Sequence, residues 1–262
     1  MKMNFKILLF KLCTSVPLWL ITLTGTAQSA TTLNIAAASN LTYVMPDIVK
    51  SFEERHEDIK VRLSLASTGN IYSQIKNGAP YDIFLSADSL RPELLFKDGM
   101  TVGEPFIYAK GGLVLWSDKK MSFVEGLFLL SSPKIKKIAI ANPRHAPYGA
   151  AAKSALQVAG LWDVLKPKLI YGENVGQAAQ FVKSGSVQVG FIAESMLKSP
   201  AMQGGSSYVL PAGSYEAITQ RGVIIKRDKA PVLALASAVL FRDFLLSDRA
   251  RAIFKEFGYG VN

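Results

Sequence analysis

Thiol and imidazole groups are almost missing from this 262-residue chain, which has one cysteine, Cys13, and two histidines, His56 and His145. A single cysteine excludes an internal disulfide framework, a cysteine-built zinc site and an iron–sulfur cluster, and two histidines leave little for a histidine-built metal centre. Charge is sparse as well, at 19% of residues against 49% hydrophobic, which excludes a disordered or low-complexity protein. After the first thirty residues no apolar run approaches the ~20 residues of a spanning helix. The longest, Ala230 to Phe241, is twelve residues. The net charge of +10 is spread along the chain, with no basic cluster of the kind that tracks a nucleic-acid groove, so no nucleic-acid partner is expected. The densest run, Lys134-Ile135-Lys136-Lys137, reads as a solvated strand edge.

What is present divides at once into a leader and a body. Lys2, Lys6 and Lys11 precede an apolar stretch through Val16, Leu18, Trp19, Leu20, Ile21 and Leu23, which ends at Gly25-Thr26-Ala27. A positive start, a short apolar centre and a small-residue exit make residues 1–27 an export signal. An uncleaved anchor is the alternative, opposed by Lys11, Ser15 and Pro17 in or beside the run. Lys11-Leu12 before Cys13 argues against a lipid attachment site, so Cys13 leaves with the signal.

The body alternates two periodicities. Leu33 to Ala38 reads as a buried strand, and Val44, Met45, Ile48, Val49 and Phe52 then recur at helical spacing. The pattern repeats with strands over 61–66, 81–85, 112–116, 136–141, 168–171 and 187–193, each set between small-residue turns or short helices. Such units predict α/β architecture with mostly parallel sheets covered by helices. Two units early and two in the middle give two lobes. A strand over Ile218–Ile225 and helices over 233–246 and 250–257 return to the first. The expected division is lobe I over 31–110 plus 214–262 and lobe II over 111–213, joined by strand-like crossovers.

Ligands of such sheets bind outside the carboxyl ends of the strands, where the turns Ser39-Asn40, Thr68-Gly69, Tyr148-Gly149 and Val175-Gly176 fall. Each opens a helix whose first N–H groups have no internal acceptor and carry the positive end of the helix dipole. Several such ends meeting across a cleft would surround a compact anion with donors. Singly, each turn is equally an N-cap.

The ordered set Ala36-Ala37-Ala38-Ser39-Asn40, Ala66-Ser67-Thr68-Gly69, Gly78 through Asp88 and Asn142-Pro143 through Pro147-Tyr148-Gly149 resembles the periplasmic molybdate-binding proteins of ABC transporters, within the type II periplasmic solute-binding family. The resemblance spans roughly residues 33 to 258. It implies two lobes closing on a tetrahedral oxyanion, with no catalysis, no cofactor and no metal bound directly by the protein. It further implies a monomer in the periplasm that delivers molybdate, and tungstate with it, to a membrane permease with its ATPase. Residue by residue it implies Ser39 and Thr68 as hydroxyl and N–H donors, Tyr148 and Val175 as backbone N–H donors, and Asn40 as a further donor. One branch of the family has a tyrosine donor where this chain has Ala193, which raises Asn40 and changes the hydrogen-bond count.

A site made only of donors suits molybdate, tungstate and sulfate, which are unprotonated dianions near neutral pH. Phosphate would bury an O–H without an acceptor, at a cost of about 1 to 3 kcal/mol, unless Glu173 entered the pocket. Sulfate would be rejected by its smaller radius. Two alternatives stand beside this reading: a receptor for sulfate or another oxyanion, and a periplasmic serine hydrolase using Ser39 with His145 as base. The latter lacks a Gly-x-Ser-x-Gly elbow. Asp82 and Asp88 are expected to cap helices and bond across the lobes, and Trp116 and Trp162 to pack in a core or hinge.

Overall fold

The structure, a computed structural model, describes residues 30–228 and 231–261. The export signal expected over 1–27, with Cys13, lies outside the described residues. Lobe I begins with β1 (Thr31–Ala38), α1 (Met45–Glu53), β2 (Ile59–Ala66), α2 (Thr68–Lys76), β3 (Ile83–Leu85), α3 (Leu90–Lys97) and β4 (Thr101–Gly111). Lobe II follows as β5 (Leu113–Ser117), β6 (Ile138–Ala141), α4 (Pro147–Val158), α5 (Trp162–Leu165), β7 (Leu169–Gly172), α6 (Val175–Lys183), β8 (Val189–Ala193) and β9 (Ser206–Val209). The chain then returns to lobe I with β10 (Ile218–Ile225), α7 (Val232–Leu245) and α8 (Asp248–Glu256). It therefore changes lobes twice, at Gly111–Gly112 and over 210–217. Among the described residues no helix is long and apolar enough to cross a membrane.

Each lobe holds a five-stranded sheet, in the orders β2-β1-β3-β10-β4 and β7-β6-β8-β5-β9. The expectation of mostly parallel sheets is corrected. In lobe I, β1 runs parallel to β2 and β3, but β10 runs antiparallel to β3 and β4. In lobe II, β6 is parallel to β7 and β8, while β5 is antiparallel to β8 and β9. The reversed strands are those that follow a lobe change, because a chain entering from the other lobe meets its sheet from the opposite end.

Both faces of β1 are covered, which explains its unbroken apolar run. Leu33, Ile35 and Ala37 pack with Ile48, Phe52, Phe241 and Phe254 of α1, α7 and α8, while Ala36 faces Ile71, Ile75 and Leu95 of α2 and α3. Phe52 and Phe241 meet edge to face with centroids 4.9 Å apart. In lobe II, the fully buried Trp116 sits with Ile140, Ala152, Ala179 and Phe191. Trp162 is partly buried against that core, beneath the Lys153 ammonium 5.5 Å from its ring.

Two strands were not anticipated. β4 contains Gly103 and Pro105 and lies at a sheet edge, where a missing N–H is tolerated. β9 follows Gly204-Gly205 at the other sheet's edge. Helix α4 starts at Pro147, one residue before the turn Tyr148-Gly149 expected to open it, with proline in the first turn where its missing N–H costs nothing. The lysine run at 134–137 is not a strand edge: it precedes β6, which is flanked by β7 and β8. Asp82 works within lobe I rather than across the lobes. It accepts from the Asn34 backbone N–H (2.8 Å) and side chain (3.3 Å) and pairs with Arg227. Asp88 caps α3 by accepting from the Arg91 N–H at 3.0 Å and pairs with the Arg91 guanidinium, which itself reaches the Arg144 carbonyl of lobe II at 3.3 Å.

Candidate functional site

Five loops end at one place because β1, β2 and β3 of lobe I and β6 and β7 of lobe II point their carboxyl ends into the cleft. The cavity there is tight, about 10 Å³, and is lined by Ala38, Ser39, Asn40, Ser67, Thr68, Ala87, Ala146, Pro147, Tyr148 and Val175. All five residues singled out from the sequence are among them. The lining contains no charged side chain, and the lobes are shut over it: Ser39 is 7% exposed and Thr68 1%.

Each lining residue is held by local chemistry. Ser39 opens a 3-10 turn whose carbonyl accepts from the N–H and hydroxyl of Thr42, at 3.3 and 2.7 Å. Ser67 caps α2 by accepting from the Asn70 N–H at 3.4 Å, which places Thr68 and Gly69 in the first turn. The Thr68 hydroxyl oxygen accepts from the Ala87 N–H at 3.2 Å, leaving its own proton for another acceptor. Tyr148 lies in the first turn of α4, and Val175 starts α6 behind an Asn174 cap that accepts from the Gln177 N–H at 3.0 Å. Three helix N-termini, of α2, α4 and α6, thus face the cavity from two lobes.

The lobes also bond directly around its rim. The Gly69 N–H donates to the His145 carbonyl at 2.8 Å, and the Asn70 side-chain amide donates to the Glu173 carboxylate at 2.6 Å. Glu173 is therefore an exposed clasp and not a lining group. His145 does not line the cavity either; the hydrolase pairing with Ser39 is absent among the described residues.

Beneath the cavity lies a buried polar cluster that the sequence did not reveal. Asn40 donates both side-chain N–H groups inward, to the Gln220 amide oxygen at 3.0 Å and to the Tyr259 hydroxyl at 3.1 Å. Tyr259 in turn donates to the Asn40 carbonyl at 2.9 Å. The Gln220 amide oxygen is 3.0 Å from the Tyr108 hydroxyl, and its amide nitrogen is 3.5 Å from that of Tyr148. The one available signal was a glutamine on the same face of β10 as the buried Ile218. Burial pushes the Tyr108, Tyr148 and Tyr259 hydroxyls well above the usual tyrosine range, keeping all three protonated. Gly111, at the lobe crossover, leaves the space these groups occupy: a Cβ there would lie 2.2 Å from the Tyr148 hydroxyl.

Glu194 sits over the same crossover, against Gly112. Burial raises its carboxyl above the ordinary range, and the nearby Lys198 offsets part of that. A raised folded-state value contributes stability below the ordinary glutamate range, which is lost as pH rises through the folded value. Glu194→Gln is therefore expected to raise the unfolding temperature at pH 7 and to change it little near pH 4, as thermal melts at the two pH values would record.

The sequence profile of the bacterial extracellular solute-binding proteins matches residues 33–260. The chain belongs to that family. Among relatives of this solute-binding protein, the molybdate-binding protein ModA of Azotobacter vinelandii is 41% identical over 237 residues, covering 90% of this chain and 92% of its own. ModA of Rhodobacter capsulatus is 37% identical and covers 86% of each chain. The solved periplasmic molybdate-binding protein of A. vinelandii superposes with a TM-score of 0.80 at 35% identity, over 88% of this chain and 99% of that one. The two-lobed α/β fold of periplasmic binding proteins is thereby established. The sulfate-binding protein SubI of Mycobacterium tuberculosis shares that fold alone, at TM-score 0.70 and 12% identity over 87% and 86% of the two chains.

Proposed function

We propose that this solute-binding protein is an exported receptor that captures molybdate, and tungstate as well, and hands it to an ABC permease driven by a separate ATPase. The observation that carries the reading is the convergence of Ser39, Asn40, Thr68, Tyr148 and Val175, from both lobes, on one buried cavity without a charged side chain. Ser39 and Thr68 would donate through hydroxyl and N–H groups, and Tyr148 and Val175 through N–H groups. Helix dipoles and fixed donors would replace the hydration of a dianion. The ModA relatives, named as molybdate-binding, support the choice of oxyanion. No cofactor and no catalysis are part of this function; the molybdenum is cargo. The protein acts as a monomer in the periplasm after removal of residues 1–27.

Donors from two lobes are satisfied together only in the closed form, so ligand binding favours closure by its differential affinity. Isothermal titration of the protein with molybdate, tungstate, sulfate and phosphate tests the assignment. Saturating heats are expected for the first two, binding at least ~100-fold weaker for sulfate (a gap of about 2.7 kcal/mol), and none for phosphate. A flat molybdate trace beside a saturating sulfate trace would overturn the ligand and keep the receptor.

A further inference from the structure

Asn40 and Gln220 form a pair of buried side-chain amides, 1% and 0% exposed, whose oxygen and nitrogen ends have nearly the same shape. In the arrangement described above, the accounts do not balance. The Asn40 Oδ1 atom is buried without a partner. The Gln220 Oε1 atom faces the Tyr108 hydroxyl at 3.0 Å, although that hydroxyl's single proton already has the Ser86 carbonyl at 2.8 Å. Turning both amides over repairs both faults once the Tyr259 hydroxyl turns its proton from the Asn40 carbonyl, which keeps the Ser195 hydroxyl at 3.3 Å, to the Asn40 Oδ1 atom. Gln220 Nε2 then donates to Asn40 Oδ1 and to the Tyr108 oxygen, and the Tyr148 hydroxyl donates to Gln220 Oε1. Asn40 Nδ2 takes the unpartnered position.

That position has a direction. Asn40 lines the cavity, whereas Gln220 and Tyr259 do not, which leaves the amide atom not held by those two as the one free to meet a ligand. An acceptor there would oppose a dianion, and a donor would bind it. We propose that Gln220 is a positioning residue that sets the polarity of the Asn40 amide, and that both amides stand reversed when an oxyanion is bound. Gln220 holds the Asn40 oxygen, and Asn40 presents its N–H to the ligand. Because Gln220 also meets Tyr148 of lobe II, one side chain at the crossover joins the donor sets of both lobes. The inference rests on the oxyanion-receptor reading of the same cavity.

The test uses the full-length mature protein with side-chain amides labelled with ¹⁵N and sodium molybdate as the probe. Nuclear Overhauser contacts of the Gln220 amide protons report which end of the amide faces which tyrosine. In the molybdate complex they are expected to reach the Tyr108 ring and not the Tyr148 ring, and the Asn40 amide protons are expected to lose contact with Tyr259. Gln220→Met, titrated in parallel, is expected to bind molybdate at least ~10-fold more weakly, as loss of one positioned donor would give. Contacts that stay with Tyr148 in the complex, or Gln220→Met affinity within about twofold of wild type, would overturn the inference. The resonance measurement is made on the wild-type chain, so it decides the matter even if the variant does not fold. A wild-type protein that takes up no molybdate would instead sink the receptor reading.

Discussion

Replacing Gly69 with alanine is expected to leave the unliganded protein folded and to remove tight binding. A Cβ at Gly69 would lie 2.4 Å from the His145 Cβ, 2.8 Å from its Cα and 3.0 Å from its carbonyl oxygen. These three nearest atoms all belong to lobe II, and two are backbone, so no rotamer change relieves the overlap. In the open protein the same methyl group meets none of them, and alanine suits the first turn of α2. The wedge therefore acts on closure alone. Overpacking a close contact costs about 1–3 kcal/mol, which in affinity is a loss of about 5- to 150-fold. Calorimetric titration of Gly69→Ala with molybdate, beside a melt without ligand, separates the two states. Affinity within about threefold of wild type would mean that the shut arrangement is not the binding form.

Removing the two hydroxyls of lobe I should have a comparable effect by a different route. Hydrogen bonds to a charged group contribute about 1.5–3 kcal/mol each, so Ser39→Ala and Thr68→Val should each weaken molybdate binding by about 10- to 100-fold. The two variants differ in the absence of ligand. Thr68→Val also strips the acceptor from the buried Ala87 N–H, so its melting temperature should fall, while that of Ser39→Ala should hold. The same Ser39→Ala protein tests the hydrolase alternative: with an activated ester as substrate, wild type and variant are expected to show no difference in turnover. A wild-type rate that Ser39→Ala abolishes would reverse the functional assignment.

The parts of the site that could be read from the sequence are those encoded locally. Ser39, Thr68, Tyr148 and Val175 each follow an apolar strand and start a helical segment, so composition and spacing alone place them at strand ends. The family resemblance then put those ends in one cleft. What stayed hidden depends on partners far away in the chain. Gln220 has meaning only through Asn40, 180 residues distant, and Tyr148, 72 distant. Gly69 looks like an ordinary turn glycine until His145 is brought against it. The same limit explains the fold. Interior strands such as β1 announce themselves by continuous apolar runs, but β4 carries Gly103 and Pro105 because an edge strand bonds on one side only. Strand direction was invisible, since a sequence records no sign of which end of a sheet the chain enters.

The order of strands in the two sheets also bears on how the chain acquires its shape. Lobe II is drawn from one continuous stretch, and its sheet pairs only strands of that stretch. Lobe I is interrupted: β10 must slip between β3 and β4, and Tyr259 must reach Asn40 across 219 residues. Contacts so distant along the chain form slowly, because the intervening segment must be immobilised before any of them is gained. The N-terminal strands thus wait in a sheet that lacks its fourth member, while lobe II can complete its own sheet independently. Closure of the cleft is in consequence the last property the polypeptide gains, and a chain without its C-terminal strand and helices has half a cleft and nothing to close.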